Sequence, residues 1–227
     1  MIIDGKKFAQ KLRNKIKKEI QSIKNKTQLT PGLTVILVGN HTPSEIYVRN
    51  KELSAKEVGI SSKVLRFKSS ISETKLISVI HKLNRDKKVH GILVQLPLPN
   101  HISGHKIIEE IDPRKDVDGF HPTNVGKMAL DLPTFLPATP NGIMELLKRY
   151  EIPTEGKNTV VIGRSNIVGT PMSILMSRKS NPGNSTVTLA HSRTKNLEQI
   201  CKQADILIVA IGIPDFVTSN MVKPNAV

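Results

Sequence analysis

Tyr47 and Lys51 are the residues whose types and spacing first point to chemistry. They lie four residues apart in a segment predicted to be helical, so both side chains share one face of the helix. A lysine amine can donate or accept a proton, and it does so near neutral pH where burial or nearby positive charge disfavours its charged form. On spacing alone, a surface lysine beside a half-buried tyrosine is the simpler interpretation.

A glycine-containing turn, Gly163 to Gly169, follows a predicted strand and precedes a predicted helix. This order is typical of a phosphate-binding crossover, in which backbone N–H groups meet an anion. The spacing is not standard, because Ser165 occupies the second glycine position and Gly169 comes one residue late. An ordinary packing turn between strand and helix therefore stays open as an alternative. Short-chain dehydrogenases also use a Tyr-x-x-x-Lys pair, but there it follows the cofactor turn, whereas Lys51 precedes this turn.

The residues after the next predicted strand favour NADP over NAD. That strand ends at Ala190, where NAD-specific domains usually present an acid to the ribose hydroxyls. Here Ser192 and Arg193 follow instead, with Arg164 available from the glycine turn. A hydroxyl and cations suit a 2′-phosphate. The alternative for Arg193 is an ordinary solvent-facing loop residue.

Alternating apolar runs and helical periods position these residues and predict an α/β fold with parallel sheets. Two β/α domains are expected, with a cleft between them, the second being Rossmann-like. A capping box at Thr42 to Glu45 is predicted to begin the helix that carries Lys51. The proline-rich residues 112–140 are predicted to form a loop. The predicted strands are 33–38, 64–67, 91–94, 159–162, 186–190 and 206–211, and the predicted helices are 8–23, 43–58, 72–84, 141–150, 170–178 and 196–203.

Composition excludes several classes of protein. No apolar run approaches the roughly 18 residues of a membrane span, and the first residues lack the pattern of a signal peptide, so a cytoplasmic protein is expected. A single cysteine, Cys201, excludes an internal disulfide and a cysteine-based metal cluster, and no metal site is predicted. The formal charge of +15 suggests anionic partners. Aromatic residues make up only 3% of the chain, which disfavours a stacking platform for single-stranded nucleic acid.

Five motifs, taken in order, carry a family resemblance across essentially the whole chain. They are Val38-Gly39, Tyr47-Val48-Arg49-Asn50-Lys51, Gly91 to Pro99, Lys115 to Pro122, and Gly163 to Pro171. In this order and spacing they resemble the bifunctional methylenetetrahydrofolate dehydrogenase/methenyltetrahydrofolate cyclohydrolase family. The resemblance implies oxidation of methylenetetrahydrofolate with NADP and hydrolysis of the methenyl product.

The resemblance also implies roles for individual residues. Lys51 is implied as the catalytic lysine, Gln95 as its partner, Tyr47 as the aromatic residue that packs on the folate, and Asp118 as the carboxylate that holds the pterin. The implied cofactor-binding residues are Gly163, Arg164, Ser165, Gly169, Ser192 and Arg193.

At the level of the whole chain, residues 1–139 are expected to form the folate-binding catalytic domain and residues 140–227 the NADP-binding domain. A homodimer is implied, with no nucleic-acid or membrane partner. The family pattern is broken at Ala138, where cysteine is usual, and we expect the chain to be truncated at its carboxyl end.

Two other classes stay open at this stage. An NADP dehydrogenase acting on a small hydroxy or keto acid would share the second half of the chain, but it has no need for Tyr47, Lys51, Gln95 and Asp118 together. A basic nucleic-acid-binding protein would show affinity that falls steeply with salt.

Overall fold

The computed structural model describes residues 2–227, and the chain divides into two units, Met1–Thr123 and Asn124–Val227. Each unit is built on a sheet of three parallel strands. The predicted fold class, two β/α domains of which the second is Rossmann-like, is confirmed.

The first sheet contains β1 (Gly32–Val38), β2 (Ser61–Phe67) and β3 (Gly91–Val94) in the order β2-β1-β3. Parallel strands are joined by helices that cross over the sheet, and both sheet faces are then covered. The central strand β1 is accordingly buried from Thr34 to Val38. The helices of this unit are α1 (Gly5–Thr27), α2 (Thr42–Val58), α3 (Glu73–Arg85) and α4 (Gly104–Glu109).

Alternate residues of the first sheet face two separate apolar cores. Ile36 and Ile92 pack with Leu76 and Ile80 of α3 on one side. On the other side, the core consists of Val35, Leu37, Val48 and Leu93, where Val48 comes from α2. The buried Val48 therefore fixes the helix that carries Lys51 against the sheet.

The second unit repeats this design. It contains α6 (Ala138–Arg149), β4 (Asn158–Ile162), α7 (Gly169–Ser177), β5 (Thr186–Ala190), α8 (Leu197–Lys202) and β6 (Ile206–Val209), followed by a 3₁₀ turn at Ser219–Met221. The strand order is β5-β4-β6, and all pairs are parallel. Val161 packs with Met172 and Met176 of α7 on one face, and Val160 packs with Cys201 of α8 on the other.

The first residues of α1 and α2 are held in different ways, and those of α2 correct a prediction. Asp4 caps α1, because its carboxylate accepts a hydrogen bond of 2.9 Å from the N–H of Lys7. The predicted capping box of α2 is wrong: the capping position is His41, whose side chain makes no capping hydrogen bond to the backbone. Its ring Nδ1 instead lies 3.0 Å from the hydroxyl of Ser44. Pro43 still favours the start of this helix, because a backbone N–H in the first turn has no hydrogen-bond partner within the helix and its absence costs nothing.

The predicted loop at residues 112–140 is also corrected. It contains α5 (Pro122–Ala129) and the first residues of α6. Pro122 is the first residue of α5, a position that tolerates proline, so the density of prolines was misleading. The strand β6 ends at Val209 rather than at Ile211, because the chain turns toward Gly212 after the N–H of Ala210 bonds to the carbonyl of Ile162 at 2.7 Å.

Candidate functional sites

Lys51 and Gln95 meet at the carboxyl edge of the first sheet. Gln95 directly follows β3, and its backbone N–H donates to the carbonyl of Ile36 at 2.9 Å, which continues the strand ladder. Its side-chain Nε2 donates to the carbonyl of Leu96 at 2.8 Å, so its Oε1 is left to accept from Lys51 Nζ at 3.2 Å. The amide is therefore held by bonds at both ends, and it fixes the position of the lysine amine.

Asp118 is brought to the same place by a turn that is tied to β3. The N–H of Ile92 donates to the carbonyl of Lys115 at 2.7 Å, and Ile92 forms an isolated parallel bridge with Asp116. The buried carboxylate of Asp116 accepts from the N–H of His121 at 2.8 Å, which closes the turn around Asp118. Two residues of this turn are thus anchored on either side of Asp118.

The pKa of Asp118 is set by burial and by two neighbouring charges. Burial raises the pKa of this half-buried carboxyl, the positive charge of Lys51 lowers it, and the negative charge of Asp116 raises it. Together these effects bring the pKa to about 6 against an ordinary value of 3.8. Lys51, Gln95 and Asp118 thus form one polar cluster, although they come from three separate segments.

Tyr47 stands apart from this cluster. It lies one helical turn before Lys51, and 62% of its surface is exposed, more than the half-burial considered from the sequence. None of the hydrogen bonds among residues 2–227 involves its hydroxyl. The ring is consequently available to pack against a ligand next to the amine.

The glycine turn of the second unit is shaped by close backbone contacts. Gly163 has φ +107, and a Cβ on it would lie 2.4 Å from the carbonyl oxygen of Ala210. A Cβ on Gly169 would lie 1.8 Å from the carbonyl oxygen of Gly163. Ser165 stabilises the turn from inside, because its hydroxyl accepts from the N–H of Val168 at 3.1 Å. The turn is therefore built for close backbone approach and is not merely a flexible connection.

A cavity of about 260 Å³ opens beside this turn at the ends of β4 and β5. Of the predicted cofactor residues, Gly163, Arg164 and Ser192 line it, whereas Ser165, Gly169 and Arg193 do not. The lining contains a cation and a hydroxyl but no carboxylate. The sequence prediction missed the apolar part of the wall, which consists of Ile162, Leu197, Ile211, Ile213 and Phe216 together with His191.

Both sites lie where open α/β sheets usually bind ligands. In the order β2-β1-β3 the chain adds β2 on one side of β1 and β3 on the other, so the strand order reverses between β1 and β3. In the order β5-β4-β6 it reverses in the same way between β4 and β6. Ligands bind outside the carboxyl ends of the strands at such switch points. Gln95 follows β3, and Gly163 follows β4, so each site occupies this position in its own unit.

Among residues 2–227, no helix has the length and apolarity needed to cross a membrane. The same residues contain no group of three or more histidine, cysteine or acidic side chains arranged to hold a metal ion.

Comparison with known proteins matches both units. Residues 3–118 match the family model described as tetrahydrofolate dehydrogenase/cyclohydrolase, catalytic domain, and residues 137–227 match its NAD(P)-binding domain. The chain is 54% identical over 222 residues to the bifunctional protein FolD of Flavobacterium johnsoniae, which covers 98% of this chain and 75% of that protein.

Solved structures agree with these matches. The FolD methylenetetrahydrofolate dehydrogenase/cyclohydrolase of Campylobacter jejuni superposes with a TM-score of 0.94 at 46% identity, covering 98% of this chain and 78% of that one. The Trypanosoma brucei enzyme complexed with NADP and an inhibitor gives a TM-score of 0.93 at 31% identity, covering 98% of this chain and 75% of that one.

Proposed function

The chain belongs to the tetrahydrofolate dehydrogenase/cyclohydrolase family, and we propose that Lys51, held by Gln95, is the residue on which its chemistry depends. The protein oxidises 5,10-methylenetetrahydrofolate with NADP and hydrolyses the resulting 5,10-methenyltetrahydrofolate to 10-formyltetrahydrofolate. Both reactions change the oxidation or hydration state of a one-carbon unit. The observation that supports the role of Lys51 is its bond to the Gln95 amide beside Asp118.

The cavity of the second unit fits NADP. The glycine turn has no room for a side chain at Gly163 or Gly169. A pyrophosphate can approach the backbone closely only where side chains are absent, so this turn suits the cofactor. Arg164 and Ser192 would hold the 2′-phosphate, and the apolar wall would accept the adenine. Ser165 and Gly169 would act by keeping the turn in shape, and Arg193 would add positive charge near the phosphate.

In the oxidation step the residues of the first unit act by positioning. Bound NADP supplies the acceptor for the hydride that leaves the methylene carbon. Ionised Asp118 accepts hydrogen bonds from pterin nitrogens, and the exposed ring of Tyr47 packs on the folate. Together they fix the direction in which the reacting C–H bond points, which is the main contribution that a protein makes to such a transfer.

In the hydrolysis step Lys51 handles the proton. A water oxygen attacks the cationic methenyl carbon and becomes the formyl oxygen, and the bond from that carbon to N5 breaks. Of the two protons that the water gives up, one goes to N5 and the other is released to solvent. The Lys51 amine is held by Gln95 Oε1 at 3.2 Å and is within reach of a ligand bound to Asp118. It transfers the proton between the attacking water and the departing nitrogen.

Replacing Lys51 tests this proposal. Lys51→Met should abolish cyclohydrolase turnover and leave NADP affinity within about twofold, because the cofactor site is made of other residues. Lys56→Met on the same helix removes an exposed charge and should keep both activities. Turnover is followed by methenyltetrahydrofolate absorbance and NADP affinity by calorimetry. Normal hydrolysis by Lys51→Met would remove this residue from the mechanism.

We extend the proposal to the whole chain on the strength of the family. Residues 1–139 carry the folate chemistry, residues 140–227 bind NADP, and the protein acts as a homodimer in the cytoplasm without nucleic acid. Light scattering of the purified protein at micromolar concentration should give twice the chain mass of 25.1 kDa. A value of one chain mass would contradict the dimer.

A further inference from the structure

The turn formed by residues 115–121 carries a second acid beside Asp118. This acid is Asp116, and only 2% of its surface is exposed. Burial of a carboxylate is costly unless hydrogen bonds or an opposite charge offset the lost hydration. The N–H of His121 donates to Asp116 at 2.8 Å, but an asparagine could accept the same bond through its amide oxygen. The negative charge of Asp116 therefore does not follow from this hydrogen bond alone.

The backbone of the 115–121 turn lies directly on β3. Gly91 allows this close approach, because a Cβ on it would lie 2.6 Å from Cγ1 of Val117. Asp116 itself bridges to Ile92 of β3, and its carbonyl accepts from the N–H of Gly119 at 3.2 Å. Gly119 has φ +68, a conformation that favours glycine. Asp116 thus joins the strand before Asp118 to the residues after it.

Two charges act on the Asp118 carboxylate besides its burial. Burial raises its pKa most, the positive charge of Lys51 lowers it, and the negative charge of Asp116 raises it. The other titratable side chains of the turn bond to backbone groups. Lys115 donates to two carbonyls at the end of α3 at 2.8 and 3.0 Å, and both ring nitrogens of His121 contact the backbone. Asp116 is therefore the acid of this turn whose charge acts on Asp118.

We propose that Asp116 is a positioning residue for Asp118 with two separate effects. Its hydrogen bond fixes the place of the Asp118 carboxylate, and its charge sets the pH at which folate binding is lost. This inference rests on the proposed role of Asp118 as acceptor for the pterin nitrogens. An acid that only stabilised the turn would have the first effect without the second.

A consequence is that folate binding is linked to the release of a proton. Near pH 6 about half of the free protein carries a proton on Asp118, because that pH is close to its pKa. The pterin donors need the ionised form, so this proton must leave when folate binds. A negative charge at Asp116 favours the protonated form of Asp118 before binding, and it therefore increases the number of protons released.

The test compares two replacements of Asp116 with a matched control. Asp116→Asn keeps an acceptor for the backbone N–H but removes the charge, whereas Asp116→Ala removes both. The control is Asp86→Asn, since Asp86 lies outside the turn and also accepts a backbone N–H, that of Lys88 at 2.8 Å. Calorimetric titration with tetrahydrofolate from pH 5 to 8 measures affinity, and steady-state kinetics at pH 8 measure KM and kcat.

Asp116→Ala should raise KM for methylenetetrahydrofolate about tenfold at pH 8, because a hydrogen bond to a charged group is lost and the turn can shift. Its kcat and its KM for NADP should stay within about twofold of wild type. Asp116→Asn should restore most of this affinity, and its affinity should fall at a lower pH than that of wild type. The control should follow wild type at every pH. An unchanged pH profile in Asp116→Asn would overturn the inference, as would equal losses in both replacements.

Proton release separates this inference from the proposed function. Calorimetry at pH 6 in two buffers with different ionisation enthalpies counts the protons released when tetrahydrofolate binds. Wild type should release about half a proton, and Asp116→Asn should release fewer. Equal release by these two proteins, combined with weak folate binding by Asp118→Asn, refutes the role of Asp116 and leaves that of Asp118 intact. Folate binding by Asp118→Asn as tight as that of wild type refutes both roles.

Discussion

Replacing Asp118 with asparagine tests whether the protein gives up stability in order to keep a carboxylate at its folate site. Burial raises the pKa of Asp118 from 3.8 to about 6. A tenfold change in proton affinity corresponds to about 1.4 kcal/mol, so ionised Asp118 costs the folded protein roughly 3 kcal/mol at pH 8. Partial exposure of the side chain reduces this cost, and we expect roughly 2 kcal/mol in practice.

The sign of the pH dependence follows from that raised pKa. Well below its ordinary pKa of 3.8 the carboxyl is protonated in both the folded and the unfolded chain, and Asp118→Asn should leave stability unchanged. Between pH 3.8 and about 6 the unfolded chain ionises this acid while the folded chain keeps it protonated, so the wild type loses stability that the neutral amide keeps, and the loss is complete above a pH of about 6. At pH 8 the variant should therefore melt about 4–8 °C higher than wild type.

Folate binding should move in the opposite direction. Asparagine offers the pterin a weaker acceptor, so the variant should bind tetrahydrofolate about 10- to 100-fold less tightly at pH 8. Wild-type affinity should fall as the pH drops below 6, whereas the affinity of the variant should be nearly flat.

Asp112→Asn is the matched control for stability. The hydrogen bond from Arg114 lowers the pKa of Asp112 to about 2. Loss of this carboxylate should destabilise the protein above pH 4, by about 1 kcal/mol at most for an ion pair with so exposed a partner. Melting curves from pH 4 to 8 and calorimetric titrations measure both effects. If Asp118→Asn proves less stable than wild type at pH 8, or if its advantage is the same at pH 4, the electrostatic argument is wrong.

The two remaining predictions concern the cofactor site. Gly169→Ala should abolish NADP binding and destabilise the second unit, because its Cβ would lie 1.8 Å from a backbone oxygen. As a control, Gly142→Ala in open space on α6 should be neutral or stabilising by up to about 1 kcal/mol. Thermal melting of both variants with and without NADP measures these effects. Arg164→Gln should raise KM for NADP about tenfold while leaving KM for NAD unchanged, and Arg193→Gln should have a smaller effect because Arg193 does not line the cavity. An equal loss with both cofactors would mean that Arg164 does not contact the 2′-phosphate.

The strands were predictable from the sequence because their burial leaves a direct trace. Parallel strands covered on both faces read as continuous apolar runs, and residues 91–94 were predicted with the same bounds as the fully buried β3. Residues 186–190 were also predicted with the bounds of β5, an edge strand whose two threonines are exposed and alternate with less exposed apolar residues. The short helices α4 and α5 were missed because six to eight residues give too few turns for a periodic signal. Residue preferences alone could not decide whether His41 or Thr42 is the N-cap residue of α2.

The sites were predictable only in part. The rule that carboxyl ends of parallel strands share an edge brings Gln95 toward the helix after β1, but only the family resemblance indicated that Lys51 would be its partner. The bond of 3.2 Å between them depends on how Val48 seats α2 on the sheet, which no local pattern encodes. The apolar wall of the NADP cavity was missed although Ile211 and Phe216 follow the third strand of the second sheet, where the same edge rule applies.

The electrostatic coupling of Lys51 to Asp118 limits how variants of either residue can be interpreted. Because the lysine charge lowers the pKa of the aspartate, Lys51→Met also makes Asp118 harder to ionise. Such a variant then binds folate less tightly near neutral pH for a reason unrelated to proton transfer, and its KM rises. A role of Lys51 in the chemical step therefore has to be judged from kcat at saturating folate and at a pH well above 6, where Asp118 is ionised with or without its neighbour.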